Sequence, residues 1–207
     1  MSALVFEASS HTYALDGIPL PSVTGVLGAA GLIDFSHVPA DILDAARARG
    51  SLVHQAIHYY NERDLDVTRF IDEYPGLGGY LLAWISFCRQ RKFIAVLNEH
   101  RIASRRHQVA GTFDCLGLLD GGAVLMDFKT GRPDDAATHL QTAAYLNIAR
   151  EWAREDALLA AFFEAHPVVR RHAVQLRANG CFVVETYTAP EDFRHFTALA
   201  AEQRKAA

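Results

Sequence analysis

Gly111-Thr-Phe-Asp-Cys-Leu-Gly-Leu-Leu-Asp-Gly-Gly-Ala-Val-Leu-Met-Asp-Phe-Lys-Thr-Gly131 is the stretch of sequence that says most about the fold. Two apolar, β-prone runs flank an Asp-Gly-Gly turn, which is typical of a β-hairpin. Because side chains alternate along a strand, Asp127 and Lys129 are predicted to share a face, with Phe128 turned into a core. Asp114 on the neighbouring strand would lie near the same end. The hairpin is therefore predicted to bring two carboxylates and a lysine together.

The sequence as a whole predicts an α/β fold. Periodicity and turn residues predict its helices and strands in chain order. They are an N-terminal hairpin over 3–15, a short helix capped near Ser22, a helix from Pro39 to about Arg63 interrupted at Gly50, a helix over 78–90, three strands over 92–104, 106–119 and 122–130 pairing as an antiparallel meander, a helix over 138–153, a hairpin of 168–178 and 181–188, and a closing helix from Pro190 to Lys205.

Composition is that of a single soluble domain spanning residues 1–207. Half of the 207 residues are apolar and 21% are charged, which suffices for one sizeable core. The mixed stretch 64–79 is the one plausible break. No run approaches the roughly 20 apolar residues of a membrane helix, and the N-terminus has no signal-peptide pattern, so we expect a cytoplasmic protein. Three scattered cysteines argue against a disulfide framework and a zinc site.

Net charge sets a condition on any nucleic-acid binding. A formal charge of −4 is unusual for a nucleic-acid binder, so affinity would have to come from local basic patches and bound metal. Basic residues on solvated helix faces are also common, and that reading stays open. The candidate patches are Arg47 with Arg49, Arg89 to Lys92, and Arg101 with Arg105 and Arg106.

Further motifs flank the hairpin in a recognisable order. Arg49-Gly-Ser-Leu-Val-His54 and then Glu99 precede it, and Gln141-Thr-Ala-Ala-Tyr145 follows it. The series resembles the RecB-like branch of the PD-(D/E)XK nuclease superfamily, to which the lambda-type phage exonucleases are related. The resemblance spans about residues 49–145, and its specificity lies in the order of the motifs. It implies a restriction-endonuclease-like core, in which helices flank a mixed central β-sheet.

The hairpin residues suit metal-dependent phosphodiester hydrolysis. Asp114 and Asp127 are predicted ligands of Mg²⁺ or Mn²⁺, because two close carboxylates tolerate ionisation best with a divalent cation between them. Lys129 could orient the attacking water, help to deprotonate it, or stabilise charge in the transition state. The resemblance adds the backbone carbonyl of Phe128 as a further ligand.

Two residues upstream of the hairpin are further site candidates. His54 follows Arg49-Gly50 at the spacing where RecB-like nucleases place a metal-binding histidine on a helix, whereas His58 is read as structural. Glu99 resembles the family's additional acidic residue, which holds a second metal or orients a ligand. The plainer alternatives are a packed histidine and an exposed glutamate before a strand.

Residues on both sides of the hairpin are predicted to contact substrate. Gln141 and Tyr145 lie four apart on a predicted helix and so share a face. The resemblance turns that face towards the active site, where the pair would contact the nucleic-acid backbone or position Lys129. A half-buried tyrosine that only packs on the sheet is the alternative. Arg49 and Thr130 are candidate phosphate contacts.

The predicted function is a metal-dependent DNA exonuclease in recombination, repair or replication. An endonuclease of the same fold, a non-catalytic nucleic-acid-binding module and a metalloenzyme acting on another substrate are the alternatives. The sequence has no Gly-X-X-X-X-Gly-Lys-Ser/Thr loop, so unwinding or annealing would need a partner, such as a helicase or a single-strand annealing protein. An oligomer, such as the ring-shaped trimer of lambda-type exonucleases, stays open. Three cysteines cannot supply the four ligands of the iron-sulfur cluster found in some RecB-like nucleases, so none is expected.

Overall fold

The computed structural model describes residues 3–8, 10–133 and 136–206, which form eight strands and seven helices. In chain order these elements are β1 Leu4–Glu7, β2 Thr12–Leu15, β3 Ile18–Leu20, α1 Val23–Ala29, α2 Ala40–Asn61, α3 Val67–Glu73, α4 Gly78–Gln90, β4 Ile94–Ser104, β5 Val109–Leu119, β6 Gly122–Lys129, α5 Thr138–Trp152, α6 Ala157–Ala165, β7 Val169–Leu176, β8 Phe182–Tyr187 and α7 Asp192–Ala206.

The N-terminal element is a three-stranded antiparallel sheet rather than the two-stranded hairpin expected. The chain turns at Asp16-Gly17, where both residues have positive φ, and returns as β3. Tyr13, buried on β2, joins the main core. The Ser22 hydroxyl caps α1 as predicted, accepting a hydrogen bond from Gly25 N at 2.9 Å.

Five strands in the order β4-β5-β6-β7-β8 form the central sheet. The meander of β4, β5 and β6 and the β7–β8 hairpin are antiparallel, as the sequence predicts. Strands β6 and β7 pair in parallel, and α5 and α6 make the crossover between them. Helices cover both faces of the sheet, so the predicted fold class, a mixed central sheet flanked by helices, is confirmed.

Three helical details differ from the sequence-based expectation. Helix α2 runs unbroken through Gly50, because one glycine costs a 22-residue helix only about 1 kcal/mol. Short helices α3 and α6 were not predicted, since segments of 7 and 9 residues show little periodicity. Each is stabilised at its start by an aspartate cap, Asp66 for α3 and Asp156 for α6.

Two main hydrophobic clusters hold the layers together. One packs α1, α5, α6 and α7 on one face of the sheet. The other packs α2 and α4 on the opposite face, where the Trp84 and Phe128 rings lie 4.6 Å apart between centroids. None of the helices in the described part of the chain is both long and apolar enough to cross a membrane.

Strand β4 has a kink at Glu99, whose φ of 46° is rarely adopted by a residue with a side chain. Residues two apart on a strand normally share a face. Here the Asn98 side chain contacts Asn61 of α2, whereas His100 contacts Asp156 at the start of α6, on the other side of the sheet. The kink therefore reverses the alternation of side chains.

Candidate active site

The candidate site lies where β5 and β6 separate. Their ladder ends at the Cys115–Met126 pair, while β6 stays paired with β7 as far as Lys129. Beyond the last pair, Asp114 Oδ2 accepts a hydrogen bond from Phe128 N at 2.5 Å. A side chain thus takes the place of the next rung, and the two strands form a fork.

One histidine and two carboxylates meet at this fork. His54 Nδ1 on α2 lies 3.6 Å from Glu99 Oε1 and 3.5 Å from Asp114 Oδ1. Ligand atoms of these three residues all lie within 4.8 Å of one another, the one such group among the described residues. Asp127, a predicted ligand, is outside the group, whereas Glu99, the less certain candidate, is inside it.

The hydrogen bonding of His54 defines which ring nitrogen faces the acids. Its Nε2 lies 3.0 Å from the Phe128 carbonyl, which can only accept, so Nε2 carries a proton. The other nitrogen therefore faces Asp114 and Glu99. Burial lowers the pKa of His54, but the two carboxylates outweigh it and raise the pKa well above its ordinary value. His54 reciprocally lowers the pKa of Asp114 against the opposing effect of burial.

A second chain of contacts runs from Asp127 to α5. Lys129 Nζ lies 2.8 Å from Asp127 Oδ2 and donates to Gln141 Oε1 at 3.1 Å. Gln141 Nε2 in turn donates to the Tyr145 hydroxyl at 3.3 Å. Gln141 and Tyr145 are only 7% and 6% exposed. The predicted shared face of α5 therefore looks onto the lysine.

The glycine of the Gly-X-X-Asp motif leaves room for this arrangement. A methyl group at Gly111 would lie 2.8 Å from Tyr145 Cε1, closer than van der Waals contact permits. The Tyr145 ring therefore packs directly on the backbone of β5. Any larger residue at Gly111 would displace the ring and, through it, Gln141.

Burial shifts the pKa values of Asp127, Lys129 and Tyr145, the titratable groups in this series of contacts. It raises the pKa of Asp127 to about 6, with Lys129 opposing the shift and Asp114 adding to it. Burial lowers the pKa of Lys129, but the charges of Asp127 and Asp114 outweigh it and leave the pKa above its ordinary value. Burial also raises the pKa of Tyr145 well above its usual range. At neutral pH the lysine is thus an ammonium and the tyrosine a neutral phenol.

The residues present fit a hard divalent cation. Carboxylate oxygens and a neutral imidazole nitrogen are suitable donors for Mn²⁺, and carboxylates suit Mg²⁺. His54 has the hydrogen-bonding pattern of a metal-bound histidine, with one nitrogen donating to a backbone carbonyl and the other towards the acids. Asp127 Oδ2 is buried and has no hydrogen-bond donor among the described residues, its contact to Lys129 being an ion pair without hydrogen-bond geometry.

Residues 31–207 match the family model of the PD-(D/E)XK nuclease superfamily. The chain belongs to this superfamily. Membership indicates a metal-dependent nuclease, in agreement with the acid–histidine group at the fork. The tripeptide Asp127-Phe128-Lys129, predicted as the Asp-X-Lys motif, lies within the matched residues. The unmatched N-terminal residues contain all three strands of the small sheet.

Two other comparisons add little. A search of curated proteins finds no relative of this PD-(D/E)XK chain. Among solved structures, one described as "Crystal structure of SSO0001" is similar over 76% of this chain and 74% of that chain, with 14% sequence identity and a TM-score of 0.36.

The two predicted phosphate contacts, Arg49 and Thr130, are not part of the acid–histidine group. Arg49 is half-buried on α2, with its guanidinium 6.0 Å from the centroid of the Tyr80 ring. Thr130 lies beside Gly50, since a methyl group at that glycine would be 3.9 Å from Thr130 Oγ1.

Sequence reasoning missed most of the cleft in front of the group. This cleft has a volume of about 640 Å³. Phe6, His11 and His58 line it beside the predicted His54, Glu99, Asp114 and Tyr145, and so does Arg101, a member of one predicted basic patch. His58, read as structural, lies one turn beyond His54, and its buried Nδ1 has no hydrogen-bond partner within the part of the chain that the structure describes. Its spacing of four residues from His54 was the available signal. For Phe6 and His11 the sequence contained none.

The backbone strain at Glu99 gives a test of its placement. Because glycine adopts positive φ freely, Glu99→Gly is expected to be more stable than Glu99→Ala by about 1 kcal/mol in free energy of unfolding. Both variants lack the carboxylate and should bind Mn²⁺ at least about tenfold more weakly than the unmodified protein. Denaturant titration and calorimetry measure the two effects.

The matched control is Glu202, which is exposed in the interior of α7. There the order should reverse, with the alanine variant the more stable by about 1 kcal/mol. If the alanine variant were the more stable one at position 99 as well as at position 202, the backbone at Glu99 would not be strained.

Proposed function

We propose that the protein is a metal-dependent DNA exonuclease of the RecB-like type. The observation that carries the proposal is the juxtaposition, at one fork in the sheet, of the acid–histidine group and the buried Asp127–Lys129 pair. The order of motifs from Arg49 to Tyr145 supports the RecB-like branch. We treat residues 1–207 as one nuclease domain, because the N-terminal sheet shares its core with α5.

In this proposal His54, Glu99 and Asp114 hold Mg²⁺ or Mn²⁺, and Asp127 completes the acidic site. The bound ion would supply a nucleophilic water near neutral pH and a counter-charge for the developing phosphorane. Phe128 contributes its carbonyl as the acceptor that orients His54, a different role from the direct ligation implied by the resemblance. No iron-sulfur cluster takes part in this chemistry.

Lys129 stabilises charge on the reacting phosphate. Its raised pKa keeps it an ammonium at neutral pH, which favours this role over deprotonation of water. Gln141 holds the ammonium in place, and Tyr145 holds Gln141. Burial of both side chains favours positioning over the direct nucleic-acid contact also predicted for them. Arg49 and Thr130 stay as proposed backbone contacts at the edge of the site.

The proposed substrate is DNA, degraded from a free end in recombination, repair or replication in the cytoplasm. The sequence carries no recognisable base-reading module, such as a helix-turn-helix signature or a zinc finger, and so has little means to select an internal sequence. Unwinding or annealing would fall to a partner such as a helicase or a single-strand annealing protein. An oligomer of the lambda-exonuclease kind is compatible with this proposal.

Replacement of Lys129 separates chemistry from metal binding. Lys129→Ala is expected to lower cleavage by at least about 100-fold, because it removes the charge that faces the phosphate, while Mn²⁺ binding persists. Asp114→Ala and Asp127→Ala should weaken both. Calorimetric titration with Mn²⁺ beside a nuclease assay measures the two properties. Lys205→Ala, on the exposed end of α7, is the control and should behave as unmodified protein. Normal cleavage by Lys129→Ala would rule out this mechanism.

The pH dependence of metal binding tests His54. Its raised pKa means that a proton competes with the cation up to a pH above the ordinary value of about 6.5. Between about pH 6, near which Asp127 itself titrates, and that folded-state pKa, Mn²⁺ affinity should rise roughly tenfold per pH unit, since one proton leaves for each ion bound. His54→Ala should reduce this slope, whereas His195→Ala, exposed on α7, should not. An unchanged slope in His54→Ala would show that the histidine is structural.

Substrate topology tests the exonuclease proposal. Linear DNA is expected to be degraded in Mg²⁺ with little sequence preference, while covalently closed circles of the same sequence survive. Linearising the circle with one double-strand cut should make it a substrate for degradation. Efficient cleavage of the intact circle at moderate salt would instead identify an endonuclease of the same fold, and no cleavage of either form would favour a non-catalytic binding module.

A further inference from the structure

The wall of the cleft opposite α2 comes from the small N-terminal sheet. Phe6 and His11 of this region line the cleft together with Arg101 of β4. All three strands of the sheet lie outside residues 31–207, the part that matches the superfamily. The superfamily membership therefore says nothing about what this wall binds.

The wall is built from aromatic rings in mutual contact and a guanidinium. Phe6 and Tyr13 pair across β1 and β2, with ring centroids 4.7 Å apart. His11 meets Phe6 edge-on at 5.1 Å. Arg101 lies over Phe6, with its Cζ 5.1 Å from the ring centroid. The Tyr13 hydroxyl, 2.9 Å from Thr112 Oγ1, ties this cluster to β5 two residues from Asp114.

The members of the cluster are accessible to a ligand. Arg101 and His11 are exposed and Phe6 is half-buried, whereas Tyr13 is buried and acts as the support. Arg101 is two residues from Glu99 on β4, so a ligand on the guanidinium would lie next to the acid–histidine group.

The charges of the cleft argue against a groove that binds a long stretch of nucleic-acid backbone. Arg101 is the one lysine or arginine among the described residues that line it, and Glu99 and Asp114 line it too. A site that tracks a duplex through its phosphates needs many basic side chains. Flat rings and a guanidinium plane, by contrast, stack on nucleobases, the common mode of single-strand recognition.

We propose that Phe6, His11 and Arg101 form a stacking platform for the base of an unpaired nucleotide beside the scissile phosphate. The substrate in the cleft is then a single-stranded DNA end. This inference rests on the proposed nuclease function and adds its substrate class. Phe6 and His11, from the N-terminal sheet region, lie outside the superfamily match, whereas Arg101 of β4 lies inside it.

Binding of defined oligonucleotides tests the platform apart from cleavage. The probe is a fluorescein-labelled thymidine oligonucleotide of about 12 nucleotides, measured by anisotropy with Mn²⁺ in the Lys129→Ala background. A fully abasic oligonucleotide of equal length keeps the phosphates and removes the bases. Arg101→Ala and Phe6→Leu are expected to weaken thymidine binding about 5- to 100-fold and abasic binding less than about twofold.

Arg101→Lys separates charge from planarity. Lysine keeps the positive charge but has no plane for stacking, so this variant should resemble Arg101→Ala on the thymidine probe. Val5→Ala, on the same strand as Phe6 but exposed outside the cleft, and Arg69→Ala, exposed on α3, are the controls and should bind as the background protein does. Phe6→Leu preserves apolar volume, so circular dichroism should show an unchanged fold.

Two results would overturn the platform. One is Arg101→Lys binding both probes as tightly as the background protein, which would make Arg101 a phosphate contact. The other is tighter binding of a blunt duplex than of the thymidine probe. Cleavage of linear single-stranded DNA by the unmodified chain tests the nuclease proposal separately. Cleavage with normal Arg101→Lys binding would overturn only the platform, and base-dependent binding without cleavage would overturn only the nuclease proposal.

Discussion

Repulsion among buried carboxylates is the constraint around which the candidate site is organised. Asp114 and Asp127 are 9% and 2% exposed, and Glu99 lies beside Asp114. Like charges in a poorly hydrated site raise one another's pKa and oppose ionisation. The protein itself supplies two cations, a protonated His54 between Asp114 and Glu99 and Lys129 against Asp127. A divalent ion that replaced the histidine proton would add the missing charge, so metal affinity and proton affinity are linked here.

The backbone holds these acidic side chains close together, and one of the features that does so, the positive φ of Glu99, lowers the stability of the fold. Glu99 keeps a positive φ in mid-strand, at a cost of about 1–3 kcal/mol that packing on both sides must offset. The side chain before it, Asn98, is fixed to α2 by Asn61 at 2.7 Å, and Asn61 accepts from Trp84 Nε1 at 2.9 Å. Trp84 also packs on Phe128, whose backbone amide and carbonyl hold Asp114 and His54. The apolar layer under the fork thereby positions the polar groups above it.

How much of this could be predicted depends on the range of the interactions. The Asp127–Lys129 pair and the shared face of Gln141 and Tyr145 follow from the strand and helix periods, which are local. The reversed alternation at Glu99 does not, because neither propensity nor spacing indicates positive φ at a glutamate. Asp127 lies outside the acid–histidine group and forms an ion pair with Lys129, its neighbour on the same face of β6.

The cleft wall shows the same limit at longer range. Phe6 and His11 read as ordinary residues of a small terminal sheet, and only the pairing of β1 with β2 and the Tyr13–Thr112 contact, 99 residues apart in sequence, bring them to the site. Such contacts depend on the whole topology.

The two sides of the cleft come from different parts of the sequence, the fork from residues that match the superfamily and the small sheet from residues that do not. The fork belongs to the region that matches the superfamily and contains acids, a histidine and a lysine, groups that in the proposed nuclease would act on any phosphodiester. These groups cannot distinguish one nucleic acid from another, since every phosphate presents the same charge. In the proposed nuclease, discrimination would come from surfaces that meet the sugar or the base, and the proposed surface is that of Phe6, His11 and Arg101, which line the cleft. A change of substrate could thus arise by altering residues 4–20 while the chemistry at the fork stays the same.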